Sequence, residues 1–383
     1  MANKKLLVEG WRGINHSYAM VNQAQLLRLK QYPIDLFHND SPFYGKDWNS
    51  VQNFCGLDEK AMQEISSIPN MTDGNSPDVT YRISYPYNLF PAKSEKLFVF
   101  GTSEYQTITD DMLLLQDKST AYKSLPLTII TPSAWSKVGF INAGFHEEQV
   151  KIIPHGVDLS IFKLIDSSTR DRYRELLGAD KHSFVILSVG AMTKNKGIDV
   201  LLTAYIQLKK KYPQIRLILK DQSNLYGFLG NDLVSRYFKE RSLDPTSKEM
   251  ADIISGIVFI TENLSLNQLN GLYNAADCYV SPYRAEGFNL PPLEAAAAGC
   301  PIVVTKGGST DDYVDPSFAM LIESRKKIKE NKTYLEPDLD SLINQLEIQV
   351  SGGKNLFDYS DAFQHISKNF TWESASKKLM EKF

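Results

Sequence analysis

Cysteine is scarce in this chain: there are three, Cys55, Cys278 and Cys300, far apart and odd in number. They show no metal-ligand spacing, so buried free thiols in a reducing compartment are expected. No apolar run approaches the ~20 residues needed to cross a bilayer. The one within Met1-Ala-Asn-Lys-Lys-Leu-Leu-Val-Glu-Gly10 is too short for a secretory signal. A cytoplasmic protein is the expectation, with room left for a peripheral membrane contact. Charge of one sign is lacking as well. A net charge of −3 gives no reason to expect nucleic acid or an anionic membrane as the main partner. No short-period repeat is visible. What remains is the composition of an ordinary soluble globular protein, and 383 residues are enough for about two domains, each with its own core.

The pattern along the chain supports two such domains. Lys5-Leu-Leu-Val8 predicts a buried strand, then a loop over Glu9–Ser17 and a helix to about Lys30 whose inner face is Tyr18, Val21, Leu26 and Leu29. Strand, glycine loop and helix form the first unit of a doubly wound sheet, which collects ligands at the carboxyl ends of its strands. Gly10 and Gly13 would let a ligand approach the backbone, and Asn15-His16-Ser17 reads as a helix cap or a set of sugar contacts. Further strands are expected at Ile34–His38, Tyr81–Tyr87 and Lys96–Phe100, and Leu127–Val138 reads as a strand, a Ser cap and the start of a helix that ends near Gly144. Residues 39–80 are polar and aromatic, with weak helical patterns, and suit variable recognition.

From Phe184 the pattern restarts. Strands are expected at Phe184–Gly190, Ile215–Lys220, Ile257–Ile260, Cys278–Val280, Pro301–Thr305 and, last, Ala319–Ile322, with a helix over Gly197–Tyr212. Strands alternating with helices imply a parallel sheet in each domain. Asp361–Phe383 reads as helical.

The densest chemistry lies in Glu286-Gly-Phe-Asn-Leu-Pro-Pro-Leu-Glu294-Ala-Ala-Ala-Ala-Gly299. Pro291 and Pro292 fit a first helical turn, and Gly299 fits a left-handed cap. Phosphate-like anions favour such a helix start. Glu286 in the loop and Glu294 one turn inside would flank that anion, and carboxylates accept hydrogen bonds from sugar hydroxyls. A nucleotide-sugar suits this layout.

Glu286, the seven intervening residues and Glu294 resemble the E-x7-E motif of retaining glycosyltransferases of family 4, which have the GT-B fold. The flanking Leu272–Pro282 and Gly299–Thr305, the turn Pro154-His-Gly-Val-Asp158 and the closing Phe370-Thr-Trp372 are similar too. The resemblance covers most of residues 127–383 and the first 126 only in outline. It implies an α/β GT-B chain of two doubly wound, Rossmann-like lobes with an interlobe cleft. The expected bounds are 1–157 for an acceptor lobe, 158–365 for a nucleotide-sugar donor lobe, and 366–383 for a helix returning to the first lobe.

The resemblance also assigns roles. Lys196 matches the family's phosphate-binding lysine. Glu294 is expected on the ribose, Glu286 on the transferred sugar, and Phe288, Asn289 and Leu290 are expected to offer backbone N–H groups to the diphosphate. Ala191 stands where the family usually has an arginine, so the second cation is expected from Lys220, or else Lys194. Glu262 reads either as a contact to the nucleobase edge or as a helix cap. The family's first-lobe histidine has no counterpart in Gly101-Thr-Ser-Glu104. Glu104 or His16 stands nearest to that role, and His16 is taken with Glu286 and Lys196 as a catalytic candidate, Gly13 as a donor contact. The chain is read as lacking the Asp-x-Asp metal motif of the other main glycosyltransferase fold, so neither metal nor cofactor is expected. The implied reaction is retaining transfer of a hexose from a nucleotide-diphosphate sugar to a sugar, lipid-linked or small-molecule acceptor at the donor's front face. The alternative is a non-catalytic nucleotide-sugar-binding subunit that supports a partner enzyme.

Overall fold

The computed structural model describes residues 3–46, 48, 56–117, 120–222, 225, 227, 229–352 and 358–383. Two compact units emerge, Met1–Gly156 with Phe370–Phe383, and Val157–Asn369. Cys55 lies outside the described residues, whereas Cys278 and Cys300 are free and buried in the second unit.

The first unit runs β1 (Lys4–Gly10), α1 (Ser17–Leu29), β2 (Ile34–Asp40), α2 (Glu59–Ser66), β3 (Val79–Ile83), β4 (Tyr87–Asn88), β5 (Lys96–Phe100), β6 (Leu113–Leu114), β7 (Thr128–Thr131), α3 (Ala134–Asn142) and β8 (Val150–Ile152). Its main sheet has the order β2-β1-β3-β5-β7-β8 and is parallel throughout. The expected strand Tyr81–Tyr87 is instead cut in two. The Tyr85-Pro86 peptide is cis, and only Tyr87–Asn88 resumes pairing, with Leu113–Leu114.

The second unit runs α4 (Ser167–Leu176), β9 (Phe184–Val189), α5 (Ile198–Lys211), β10 (Ile215–Lys220), α6 (Gly230–Glu240), α7 (Lys248–Ser255), β11 (Ile257–Ile260), α8 (Leu266–Ala275), β12 (Cys278–Ser281), α9 (Leu290–Ala297), β13 (Ile302–Thr305) and β14 (Ala319–Ile322). Its sheet order is β11-β10-β9-β12-β13-β14, again all parallel. β9 and β10 are covered on both faces: the consecutive residues Val185, Ile186 and Leu187 of β9 and Leu217, Ile218 and Leu219 of β10 are all buried. Sequence order reverses between β9 and β12, so the crevice beyond their carboxyl ends is the switch point where such sheets take ligands.

Ala319–Ile322 is not the last strand. β15 (Ser324–Lys329) and β16 (Lys332–Pro337) form an antiparallel hairpin before α10 (Leu339–Gly352) and α11 (Tyr359–Asn369). The lysines of β15 mask any alternation, which is why the pattern escaped the sequence reading. Nor is Asp361–Phe383 one helix. It breaks at Phe370-Thr371, where the Thr371 side chain accepts from Ser374 N and starts α12 (Trp372–Met380). A Cβ on Gly156 would stand 2.2 Å from the Thr371 and Trp372 backbone, so a glycine is what lets the segment seat there. α12 lies on α1 in the first unit, with Arg28 paired to Glu373 at 2.5 Å.

Candidate functional site

The loop after β9 is built by two left-handed glycines. Gly190 (φ 142°) turns the chain, and a Cβ on it would lie 3.8 Å from Lys196 Cε. Lys194–Lys196 form a single tight turn, and Gly197 (φ 69°) opens α5. A Cβ on Gly197 would fall 1.9 Å from the Pro282 carbonyl oxygen, so the loops after β9 and β12 are in direct contact. Arg284 N donates to Asn195 O (2.6 Å), and Asn195 Nδ2 donates to Ala285 O (3.2 Å). This zipper delivers Lys196 Nζ to Glu286 Oε1, a hydrogen-bonded ion pair between a nearly buried carboxylate and a partly exposed ammonium.

Arg284 holds the same loops from behind. Its buried guanidinium donates to both Asp199 carboxylate oxygens (2.6 and 3.0 Å), to Lys194 O (3.1 Å) and to Glu336 Oε1 (3.0 Å). Sequence reasoning missed this residue. The one available signal was a lone arginine two positions before Glu286.

Past Glu286 the chain turns into α9. Asn289 sits in the left-handed region (φ 70°), its Nδ2 donates to Ser281 Oγ (3.0 Å), and its carbonyl accepts from the Tyr313 hydroxyl (2.6 Å). The Phe288 ring lies 5.0 Å from that of Tyr313. Leu290 begins the helix. Pro291 and Pro292 carry no N–H, so of the first three helical positions only Leu290 has a backbone donor. Gly299 closes the segment at φ 79°. Glu294, one turn inside, is 7% exposed and accepts from the Tyr273 hydroxyl (2.8 Å). Burial pushes its carboxyl up to about 7, and the Tyr273 bond only partly opposes that.

The second cation is less simply placed. Lys220 lies at the carboxyl end of β10, but it is buried and its Nζ donates to the Asp221 carbonyl. Burial lowers its pKa, while the Asp221 and Glu262 charges work to raise it. Glu262 is exposed and does not cap a helix; Ser265 caps α8, in a capping box with Gln268. Lys194 is exposed.

His16 and Gly13 belong to the first unit, so they are not among the residues that the second unit gathers around Lys196. His16 caps α1, its Nδ1 accepting from Tyr18 N (3.1 Å), which puts the neutral ring's proton on Nε2. Burial among aromatic rings draws its pKa down to about 4; Trp11 lies edge-on at 5.1 Å. Gly13 (φ 72°) has its N–H committed to Gln23 Oε1 (2.9 Å). Glu104 offers its carbonyl to Trp135 Nε1 (2.7 Å). One Asp-x-Asp string does exist, Asp338-Leu-Asp340, contrary to the sequence reading. Asp338 accepts from Ser341 N (2.9 Å) at the start of α10, and among the described residues no group of three His, Cys, Asp or Glu could hold a metal ion.

Residues 169–337 match the family model for glycosyl transferases group 1. The chain is 32% identical to a D-inositol 3-phosphate glycosyltransferase of Corynebacterium jeikeium (strain K411) over 230 residues, 60% of this chain and 50% of that one. It is 27% identical to the mannosylfructose-phosphate synthase of Agrobacterium fabrum over 194 residues, 51% of this chain and 40% of that one. It thus spans about half the length of the curated relatives it matches. A glycosyltransferase from Rickettsia africae ESF-5 shares the fold at TM-score 0.71 and 14% identity, over 99% of this chain and 98% of that one. Anabaena Alr3699/HepE, solved in complex with UDP-glucose, does so at TM-score 0.68 and 16% identity, over 99% of each chain. Residues 169–337 therefore resemble a glycosyl transferases group 1 domain, and the chain as a whole has the GT-B fold.

Proposed function

We propose that the chain is a retaining glycosyltransferase that moves a hexose from a nucleotide-diphosphate sugar to a sugar, lipid-linked or small-molecule acceptor. The observation that carries this reading is the Lys196–Glu286 contact at the β9/β12 switch point, with Glu294 one helical turn further on. The relatives' names support a sugar-transfer reaction.

In this reading the diphosphate lies at the start of α9. Lys196 meets its charge, and the backbone N–H groups of Phe288, Asn289 and Leu290 add donors aimed at the leaving oxygen. Glu294 accepts from the ribose hydroxyls and Glu286 from hydroxyls of the transferred sugar. Lys220 is the second cation, supported by its strand-end position, and Glu262 reads the nucleobase edge. His16, neutral at working pH, is a hydrogen-bond donor to a sugar rather than a charge. Gly13 lines the donor alongside it.

Transfer breaks the bond from the sugar's C1 to the phosphate oxygen and forms the bond from C1 to the acceptor oxygen on the same face. The acceptor proton passes to the leaving phosphate. No metal is required in this scheme, because lysine and backbone donors take the charge that a metal would otherwise meet.

Calorimetric titration with UDP, GDP and ADP and their sugar conjugates tests the reading. One nucleotide should bind, insensitive to EDTA, and Glu294→Ala or Lys196→Ala should abolish the binding. NMR of the product's anomeric carbon should show retention. Failure of every nucleotide in that panel to bind would overturn it.

A further inference from the structure

The chain is slightly acidic overall, yet between Arg325 and Lys332 it carries five cations and one carboxylate. These residues form the outer part of the β15–β16 hairpin. Its register puts Leu335 opposite Lys326 and Thr333 opposite Ile328. Leu335 and Thr333 are buried and fasten the hairpin to its unit, with Leu335 against Gly307 and Gly308, whereas every residue from Arg325 to Lys329 is exposed. The turn is tight: Glu330 and Asn331 both take positive φ (51° and 61°), so Lys329 and Lys332 face each other across it.

The hairpin's other carboxylates are occupied from outside. Glu323 pairs with Lys306 at 3.1 Å and Glu336 with Arg284 at 3.0 Å. Only Glu330 remains at the tip, 3.9 Å from Lys329. Ile328 is 75% exposed and lies by register on the Thr333 face of the ribbon, with Lys327 and Lys329 on the opposite face, so a bilayer that the hairpin enters tip first meets both.

We propose that this hairpin docks the protein onto an anionic bilayer, with the cations at the headgroups and Ile328 inserted at the acyl boundary. The pairing of charge and apolar tip decides between occupants. A soluble polyanion would use the lysines and leave Ile328 in water, whereas an anionic bilayer takes both. The element is also bonded to the site, because Leu335 N donates to Arg284 O (2.8 Å) and Glu336 accepts from the Arg284 guanidinium.

Co-sedimentation of the full chain with vesicles tests this. Wild-type protein should bind vesicles of phosphatidylcholine and phosphatidylglycerol in equal parts, should not bind phosphatidylcholine alone, and should release with salt. Reversing Arg325, Lys327 and Lys329 to Glu should weaken binding on the order of a hundredfold, and Ile328→Ser by about tenfold. All four positions are exposed, so melting curves should match wild type and separate docking from folding. Absence of wild-type binding to the anionic vesicles, or binding unchanged in these variants, overturns the proposal. Binding that Ile328→Ser leaves intact, and that heparin supports equally well, also overturns it, in favour of a soluble polyanion.

Discussion

Lys196 Nζ is hydrogen-bonded to Glu286 Oε1, so the cation and the carboxylate at the mouth of the β9/β12 crevice neutralise each other. A diphosphate bound as proposed would have to compete with Glu286 for that ammonium. Glu286→Gln should therefore tighten nucleotide-diphosphate binding, by about three- to tenfold, while transfer falls at least tenfold, or ~1.4 kcal/mol of transition-state stabilisation. Calorimetry and initial rates check the two halves separately. A transfer loss smaller than tenfold would argue against a role for Glu286 on the transferred sugar.

Glu294 links pH to stability and to binding with opposite signs. Its folded pKa, about 7, stands above its ordinary 4.5, so between those values the folded state keeps a proton that the unfolded state has lost. The group's effect on stability is most favourable below pH 4.5. Stability then falls by about 3 kcal/mol as pH rises through the window. Glu294→Gln should flatten that slope in urea titrations. Nucleotide affinity should instead rise through pH 7 as the carboxylate forms, and Tyr273→Phe, which removes the opposing hydrogen bond, should move that rise to higher pH.

Gly197→Ala tests the contact between the two loops. The new methyl would meet the Pro282 carbonyl at 1.9 Å on a backbone with φ 69°. A loss of about 2–4 kcal/mol is expected in chemical denaturation, together with weaker nucleotide binding because Lys196 is adjacent.

Arg284→Gln leaves Asp199 and Glu336 without their shared partner. Both carboxylates are more than a third exposed or close to it, so water softens the effect, and about 1–3 kcal/mol of stability should be lost. Arg284→Lys should not restore it, since one ammonium cannot span both Asp199 oxygens and Glu336 together. Denaturation midpoints of the two variants decide this.

Much of the architecture was legible in the chain. Ile215–Lys220, Ile257–Ile260 and Ala319–Ile322 occur as strands with the bounds the sequence implies, because short stretches rich in Ile, Leu and Val mark strands locally. Pro291, Pro292 and Gly299 likewise announced α9 through local backbone preferences. Local chemistry misled where distant packing overrules it. The hairpin's inner row is carried by Thr333 and Leu335 alone, under a strand of lysines, and the final helix breaks where Thr371 meets Gly156.

The sequence by itself determined the parallel α/β class, the helix start between Glu286 and Glu294, and the identity of the charged groups there, because periodicity, proline and glycine act within a few residues. Only the tertiary structure decided that Lys196 lies on Glu286, 90 positions away, that Arg284 spans Asp199 and Glu336, and that Glu294 is buried enough to hold its proton near neutrality. Those facts depend on which loops the sheet order places side by side and on how much water the packing removes, and neither quantity is written in any local stretch of chain.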